Sequence, residues 1–230
     1  MNYPGGKNAE GVAQWIINQQ PTHKFYVEGF VGSGAVLRMK KPADHNIVID
    51  CDRGLVRDLP SMFSAIHPVQ VVCGDAVEWL SHFKYGREAL VYCDPPYLQE
   101  TRRSKQAIYR HEFNTQDQHK RLLAVLCKLK CNVQLSGYRS SLYDAILPAW
   151  RRVEKQVTLR NGIKAVECLW MNYAEPVALH DYRYLGNNFR ERERFKRIRN
   201  NLKKRWLDMP LLERLALSSM LAELSDAGPQ

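Results

Sequence analysis

At 230 residues the chain has room for one full α/β domain and an appendage, but not comfortably for two ordinary domains. Its content, 45% hydrophobic and 25% charged, is that of a soluble globular protein, and it lacks the run of about eighteen apolar residues that a membrane span needs. A net charge of +10 points to a polyanionic partner, nucleic acid first.

The opening Tyr3-Pro4-Gly5-Gly6-Lys7 lacks the apolar centre of a signal peptide, so the cytoplasm is the expected compartment. Strand and helix signals then alternate. Residues 24–30 (KFYVEGF) form a β-rich run, and 33–41 read as a helix that stops before Pro42. Further strands are expected at 46–51, 69–73 and 89–93, with helices near 53–65 and 75–83 between them. These apolar runs do not alternate, which suits strands covered on both faces and hence a parallel sheet. Alternating β and α elements imply right-handed crossovers and three layers. Residues 98–115 read as a long polar loop containing Tyr109 and His111. A helix capped by Thr115 follows to about 130, then a strand at 132–136 and an antiparallel pair, 153–159 and 165–173, around Asn161-Gly162. The expected fold is α/β and Rossmann-like, a mostly parallel seven-stranded sheet with helices on both faces.

After Asn188 the composition changes. Residues 181–206 hold ten Lys/Arg against three acids. A basic helix near 189–206 and an amphipathic one near 211–224 are expected, split at Met209-Pro210. The division expected is therefore a catalytic domain over 1–178 and a basic helical extension over 179–230. Such a helix can be a merely solvated face, but this density of charge favours nucleic-acid contact, with Arg192, Lys196, Arg199 and Lys203 as candidates. Arg102, Arg103 and Lys105 in the long loop are further candidates. Phe195, Ile198, Leu202 and Trp206 form a stripe expected to dock the helix on the rest of the protein. The six cysteines contain no Cys-x-x-Cys pair, so no zinc site is expected, and Cys51, Cys73 and Cys93 read as small buried hydrophobes.

Ligands of an open α/β sheet bind beyond the carboxyl ends of its strands. The first strand ends in Glu28-Gly29-Phe30-Val31-Gly32-Ser33-Gly34, where glycines at 32 and 34 allow close backbone approach to a cofactor or simply make a tight turn. The second ends at Asp50, about 20 residues on, placed to accept hydrogen bonds from a ribose diol or to cap a helix. The third ends at Gly74-Asp75, open to the same two readings. The fourth runs into Asp94-Pro95-Pro96-Tyr97. Two prolines stiffen this turn. The Asp94 carboxylate, the Pro95 carbonyl and the Tyr97 ring together suit a planar base with an exocyclic amine, and a base inside a duplex reaches such a pocket only when flipped out.

Asp-Pro-Pro-Tyr after an apolar strand, downstream of Phe-x-Gly-x-Gly, resembles the amino-methyltransferases of DNA. Tyr3-Pro4-Gly5-Gly6-Lys7 is similar to the Trp-Ala-Gly-Gly-Lys element that opens the Dam-like, D12 class adenine-N6 methyltransferases, and the three elements occur in that family's order. The resemblance weakens beyond Asp94-Tyr97, through Leu135-Ser136 to Glu167-Cys168-Leu169-Trp170. It implies S-adenosylmethionine as cofactor, contacted by Tyr3, Lys7, Glu28, Phe30, Gly32, Gly34, Asp50, Asp75 and Asp94. It implies double-stranded DNA as partner, with Asp94, Pro95, Pro96 and Tyr97 as the catalytic turn and no metal.

Tyr3 stands where the family pattern has Trp. Only 43 residues separate Asp50 from Asp94, so the family's long recognition insert is missing. That implies a compact, phage- or prophage-type member with short or relaxed specificity, monomeric or weakly dimeric. Three alternatives remain: methylation of a cytosine amine, against which Asp rather than Ser before Pro-Pro-Tyr argues; an RNA adenine methyltransferase; and an inactive DNA-binding accessory protein.

Overall fold

The computed structural model describes Lys7 and residues 11–66, 68–84, 86–101, 113–158, 162 and 164–226. The chain divides into two compact units, Met1–Tyr182 and Arg183–Gln230.

The first unit is built on a seven-stranded sheet: β1 (Phe25–Gly29), β2 (His45–Asp50), β3 (Val69–Cys73), β4 (Ala89–Cys93), β5 (Asn132–Gly137), β6 (Arg151–Thr158) and β7 (Lys164–Met171). Their spatial order is β3-β2-β1-β4-β5-β7-β6. The first five run parallel, and β7 joins β5 antiparallel and pairs with β6 as a hairpin. Helices α1 (Val12–Ile17), α2 (Ala35–Met39), α3 (Arg53–Met62), α4 (Ala76–Ser81), α5 (Gln116–Leu126) and α6 (Ser141–Ile146) link or flank the strands. The fold is Rossmann-like, as expected.

Every residue of β4 is buried, which explains its unbroken apolar sequence: both faces are covered. One face packs Val27, Val91 and Val133 against Leu80 of α4 and Leu122 and Leu126 of α5. On β5, Gln134 is also buried; its side-chain amide is met by Gln20 at 3.0 Å, a polar contact satisfied inside the protein. Local chemistry starts the helices. Asp52 caps α3 through the amides of Gly54 and Leu55, Asp75 caps α4, and Thr115 and Gln118 form a reciprocal capping box on α5. The sequence reading does not include α1 or α6. Each has six residues, and α1 starts from Gly11 with no side-chain cap, so neither length nor cap announces it.

The cysteine reading holds for Cys93, whereas Cys51 and Cys73 are exposed. Cys73 ends β3, an edge strand only partly covered, and so remains open to solvent; Cys51 lies just past the end of β2. Among the described residues no helix is long and apolar enough to cross a membrane, and no cluster of His, Cys, Asp or Glu is set to hold a metal ion.

The second unit contains α7 (Phe189–Asp208) and α8 (Leu211–Asp226). Asn188 caps α7 by accepting the Glu191 amide at 3.0 Å. Arg192, Lys196, Arg199 and Lys203, spaced four, three and four apart, share one face of α7. Of the expected docking stripe, Phe195 and Trp206 are half-buried, and Ile198 and Leu202 are 41% and 59% exposed.

Two positions under the β1–α2 connection have testable consequences. Gly34 adopts φ +60°, and a Cβ there would come within 2.9 Å of Cε1 of the buried Phe63 ring. Gly34→Ala therefore combines left-handed strain with overpacking, about 2–4 kcal/mol together, and should lower Tm by roughly 5–15 °C in calorimetry. Glu28 is buried, accepting hydrogen bonds on Oε2 from the Tyr26 hydroxyl (2.9 Å) and the Leu37 amide (3.1 Å). Burial pushes its carboxyl up to about 8. The folded state thus holds a proton that the unfolded chain releases at ordinary carboxylate pH. The stability from this affinity is complete below about pH 4 and lost as pH rises through about 8. Glu28→Gln keeps an acceptor without the charge, so its Tm should fall less than wild type's between pH 5 and pH 9 in melts across that range.

Candidate active site

Chain order reverses between β1 and β4. From β1 the chain winds outward through β2 and β3, then returns to place β4 on the other side of β1 and continues to β5. The crevice over the carboxyl ends of β1 and β4 is where such a sheet binds ligands. Gly29 pairs with Cys93 at the ends of these two strands, and the Asp94 amide points at the Gly29 carbonyl at 3.4 Å. The glycine loop and the Asp94-Pro95-Pro96-Tyr97 turn therefore leave the sheet side by side.

The loop is tightly held. Phe30, Gly32 and Gly34 all have positive φ, at 58°, 51° and 60°. For a residue with a side chain, such as Phe30, that backbone is strained by about 1–3 kcal/mol, a strain found at sites that must bind something closely. The Val31 amide donates to the Ile49 carbonyl and the Gly32 amide to Asp50 Oδ2, both at 3.0 Å. Asp50 Oδ1 accepts the Asp52 amide at 3.0 Å. Burial pushes the Asp50 carboxyl up from its ordinary value. The Cys51 amide also donates to this carboxylate, whose roughly four lone-pair sites still leave acceptor capacity for a hydroxyl beside the loop. The Phe30 ring packs edge-on against Phe113, at 5.0 Å between centroids. The Phe113 carbonyl is held by the buried His119 at 3.0 Å. Gln99 and Asn114, on either side of residues 102–112, are joined by a backbone and a side-chain hydrogen bond.

Around Asp94 lies a buried cluster of charges. Lys7 Nζ is 2.8 Å from Asp94 Oδ1 and 2.6 Å from Glu167 Oε1, and it also donates to the Tyr97 hydroxyl. All three ammonium donors are thus engaged. The Tyr97 hydroxyl donates in turn to Glu167 Oε1. The Lys7 ammonium lies 4.8 Å from the Tyr97 ring centroid, and the Tyr138 ring meets Tyr97 edge-on at 4.5 Å. Of the three charged side chains Asp94 is the most accessible, 18% exposed against 8% for Lys7 and 6% for Glu167. Burial pushes the Asp94 carboxyl above its ordinary value; Lys7 opposes this and the like charge of Glu167 adds to it. Lys7 is held above the usual lysine range: burial works against the ammonium, and its two carboxylates outweigh burial.

Of the residues singled out in the sequence, the structure brings Lys7, Asp94 and Tyr97 into direct contact and sets Phe30, Gly32, Gly34 and Asp50 in the adjoining loop. Pro95 and Pro96 lie in the turn between Asp94 and Tyr97. Glu28 is engaged with Tyr26 and Leu37. Asp75 is engaged with the start of α4, through the Val77 amide at 2.7 Å, and with Arg121 at 3.4 Å. Arg192, Lys196, Arg199 and Lys203 belong to the second unit. Tyr3, Arg102, Arg103, Lys105, Tyr109 and His111 lie outside the described residues. Glu167 is absent from the residues read as functional. Its one sequence signal is its place in Glu-Cys-Leu-Trp, where the resemblance was weakest.

The donor set suits S-adenosylmethionine: a carboxylate at the end of β2 for a ribose, a loop of left-handed glycines for close approach, and an anionic cluster opposite for a sulfonium. Known proteins agree with this chemistry. The family model of the D12 class N6 adenine-specific DNA methyltransferases matches residues 55–159, which include Asp94 and Tyr97. A search of curated proteins gives no match. Among solved structures, a putative RNA methyltransferase from Pyrococcus horikoshii is similar at 13% identity and TM-score 0.50, over 76% of this chain and 87% of that one. The N-methyltransferase NodS from Bradyrhizobium japonicum is similar at 11% identity and TM-score 0.50, over 70% and 93%. At such identities the likeness speaks for the fold. The chain is thus a methyltransferase with S-adenosylmethionine as its cofactor, and over residues 55–159 it carries the signature of the D12 class N6 adenine-specific DNA methyltransferases on a Rossmann-like fold.

Proposed function

We propose that the protein methylates the exocyclic N6 amine of an adenine flipped out of DNA. The observation that carries this reading is the Asp94-Pro95-Pro96-Tyr97 turn at the β1/β4 crevice, beside the glycine loop and the Asp50 carboxylate. S-adenosylmethionine, when bound, supplies an electrophilic methyl group on a positively charged sulfur. Phe30, Gly32 and Gly34 would hold its methionine side and Asp50 its ribose, with Tyr3 a further contact.

The protein's part is placement, which supplies much of the rate when the cofactor carries the reactive group. The Asp94 carboxylate and the Pro95 carbonyl accept the two N–H bonds of the amine and turn its lone pair toward the methyl. Tyr97 stacks on the base. As the N–C bond forms and the S–C bond breaks, N6 carries one proton too many. Asp94, whose burial raises its proton affinity, is placed to take it.

Specificity follows from what fills the chain between Asp50 and Asp94. Helices α3 and α4 and strands β3 and β4 account for most of it, leaving no room for a long recognition insert. The basic face of α7, and separately Arg102, Arg103 and Lys105, would supply phosphate contacts instead. Phosphate contacts position a protein without reading sequence, so a short or relaxed recognition site follows. The same contacts serve a soluble protein acting on DNA inside the cell, as a monomer or weak dimer.

Transfer of labelled methyl from S-adenosylmethionine to unmethylated double-stranded DNA, with single-stranded DNA and RNA in parallel, tests the reading. Label should enter adenine of DNA, and Asp94→Ala should lower kcat at least about a hundredfold. In wild type, activity should be lost on acidification through a pH above the ordinary carboxylate value of about 4, because Asp94 must be ionised to accept the amine. Label in RNA alone would overturn the substrate, and DNA binding without any label would overturn the enzyme. Replacing Lys196, Arg199 and Lys203 by Ala should weaken DNA binding about equally across sequences and reduce the salt slope by roughly one unit for each phosphate that is no longer neutralised.

A further inference from the structure

We propose that Glu167 is a positioning residue of methyl transfer: its carboxylate, together with Lys7, brackets Asp94 and Tyr97, leaving the cluster a net negative charge toward the amine and fixing the Tyr97 ring for the base. The inference rests on the proposed function above and adds to it a residue from the opposite end of the first unit.

The first argument is charge. A buried ammonium is costly unless it is fully paired. Asp94 alone would neutralise Lys7, and the resulting pair would present little net charge to an amine or a sulfonium. With Glu167 sharing the ammonium at 2.6 Å, the cluster of one cation and two carboxylates carries a net negative charge. It then matches a single positive sulfonium across the crevice. Because Glu167 is the least exposed of the three, the surplus charge is presented through Asp94, the most exposed. The groups that act electrostatically on Asp94 are Lys7, Glu167 and Tyr97 in the cluster, Glu28 on β1, Tyr92 and Cys93 on β4 and Tyr143 on α6. Among them Glu167 and Glu28 are the carboxyls, and burial pushes Glu28 up to about 8, leaving Glu167 as the like charge that acts on Asp94 at neutral pH.

The second argument is orientation. A tyrosine ring turns about two side-chain bonds, and here its far end is fixed: the hydroxyl donates to Glu167 Oε1 and accepts from Lys7. Tyr138 meets the same ring edge-on. The third is placement. Strand β7 is antiparallel to the five parallel strands, so its early residues lie beside their carboxyl ends. Cys168 pairs with Gly137 at the end of β5, and Glu167 precedes that pair, next to the crevice. A buried carboxylate in a strand whose next four residues are all buried is there for its partners, and both partners belong to the site.

Glu167→Gln and Glu167→Asp should be compared with wild type in three measurements: steady-state kinetics with DNA across pH, binding of S-adenosylmethionine alone, and the titration of Asp94 followed by carbon NMR on aspartate-labelled protein. Removing the like charge in Glu167→Gln should move the Asp94 titration and the acid limb of kcat to lower pH. It should also lower kcat on the order of ten- to a hundredfold, with affinity for S-adenosylmethionine changed far less. Glu167→Asp keeps the charge but withdraws the oxygen, so kcat should fall while the acid limb stays near wild type's. Should Glu167→Gln fail to fold, the Asp variant decides: wild-type kcat in it overturns the proposal. In folded Glu167→Gln, an unshifted Asp94 titration or wild-type kcat overturns it likewise. A wild type that methylates no nucleic acid would overturn the proposed function, and the Asp94 titration would still decide the electrostatic role of Glu167.

Discussion

The parallel pairing of β1 with β4 is the constraint on which the other features rest. Register places Gly29 beside Cys93, so the two strands end level and their following loops start side by side. A slip of one residue would turn the apolar side chains of either strand to the wrong face, and burial on both faces forbids it. The absence of a side chain at Gly29 matters here, since a Cβ would come within 3.2 Å of the Cys93 sulfur. The strained Phe30 backbone, the glycine loop and the Asp94 turn are then consequences of one pairing. Core packing distant from the crevice holds the geometry at the crevice.

The second level of organisation is electrostatic. Three ionisable side chains gather around Tyr97 at a place where water is scarce, and two of them carry the same sign. Each would be costly to bury alone. Together, the single ammonium offers one donor to each carboxylate and one to the phenol, and the arrangement is satisfied without solvent. Asp50 shows the same economy a strand away: its two oxygens accept amides from the glycine loop and from Asp52, so the acid proposed to hold the ribose also organises the loop.

Much of this was legible in the sequence, for identifiable reasons. The seven strands are visible because runs such as ALVYC and NIVIDC combine β-branched and apolar residues with abrupt polar ends. Helices α3, α4 and α5 are visible because Asp52, Asp75 and Thr115 cap them. Asp94 and Tyr97 stand out because two prolines between them are incompatible with a continuing strand. Helix α1 was not legible, since Gly11 gives no capping signal. The exposure of Cys73 depends on β3 being an edge strand, which is a property of sheet order. Asp75, read as either a cofactor contact or a cap, caps α4 and pairs with Arg121. Glu167 was missed because a charged residue in an amphipathic hairpin ordinarily faces water, and only the antiparallel entry of β7 brings it to the crevice.

That entry also governs when the cluster can exist. Lys7 and Glu167 are separated by 160 positions, among the longest ties in the chain. Closing so long a loop is entropically unfavourable until the strands between are in place. During synthesis the turn bearing Asp94 is made well before β7, and until β7 docks, the Lys7 ammonium and the Asp94 carboxylate have no reason to leave water. The last strand to be built thus acts as a seal. A nascent or truncated chain without it can form most of a sheet and still lack the dry, charged corner, so chemistry and a completed fold arrive together.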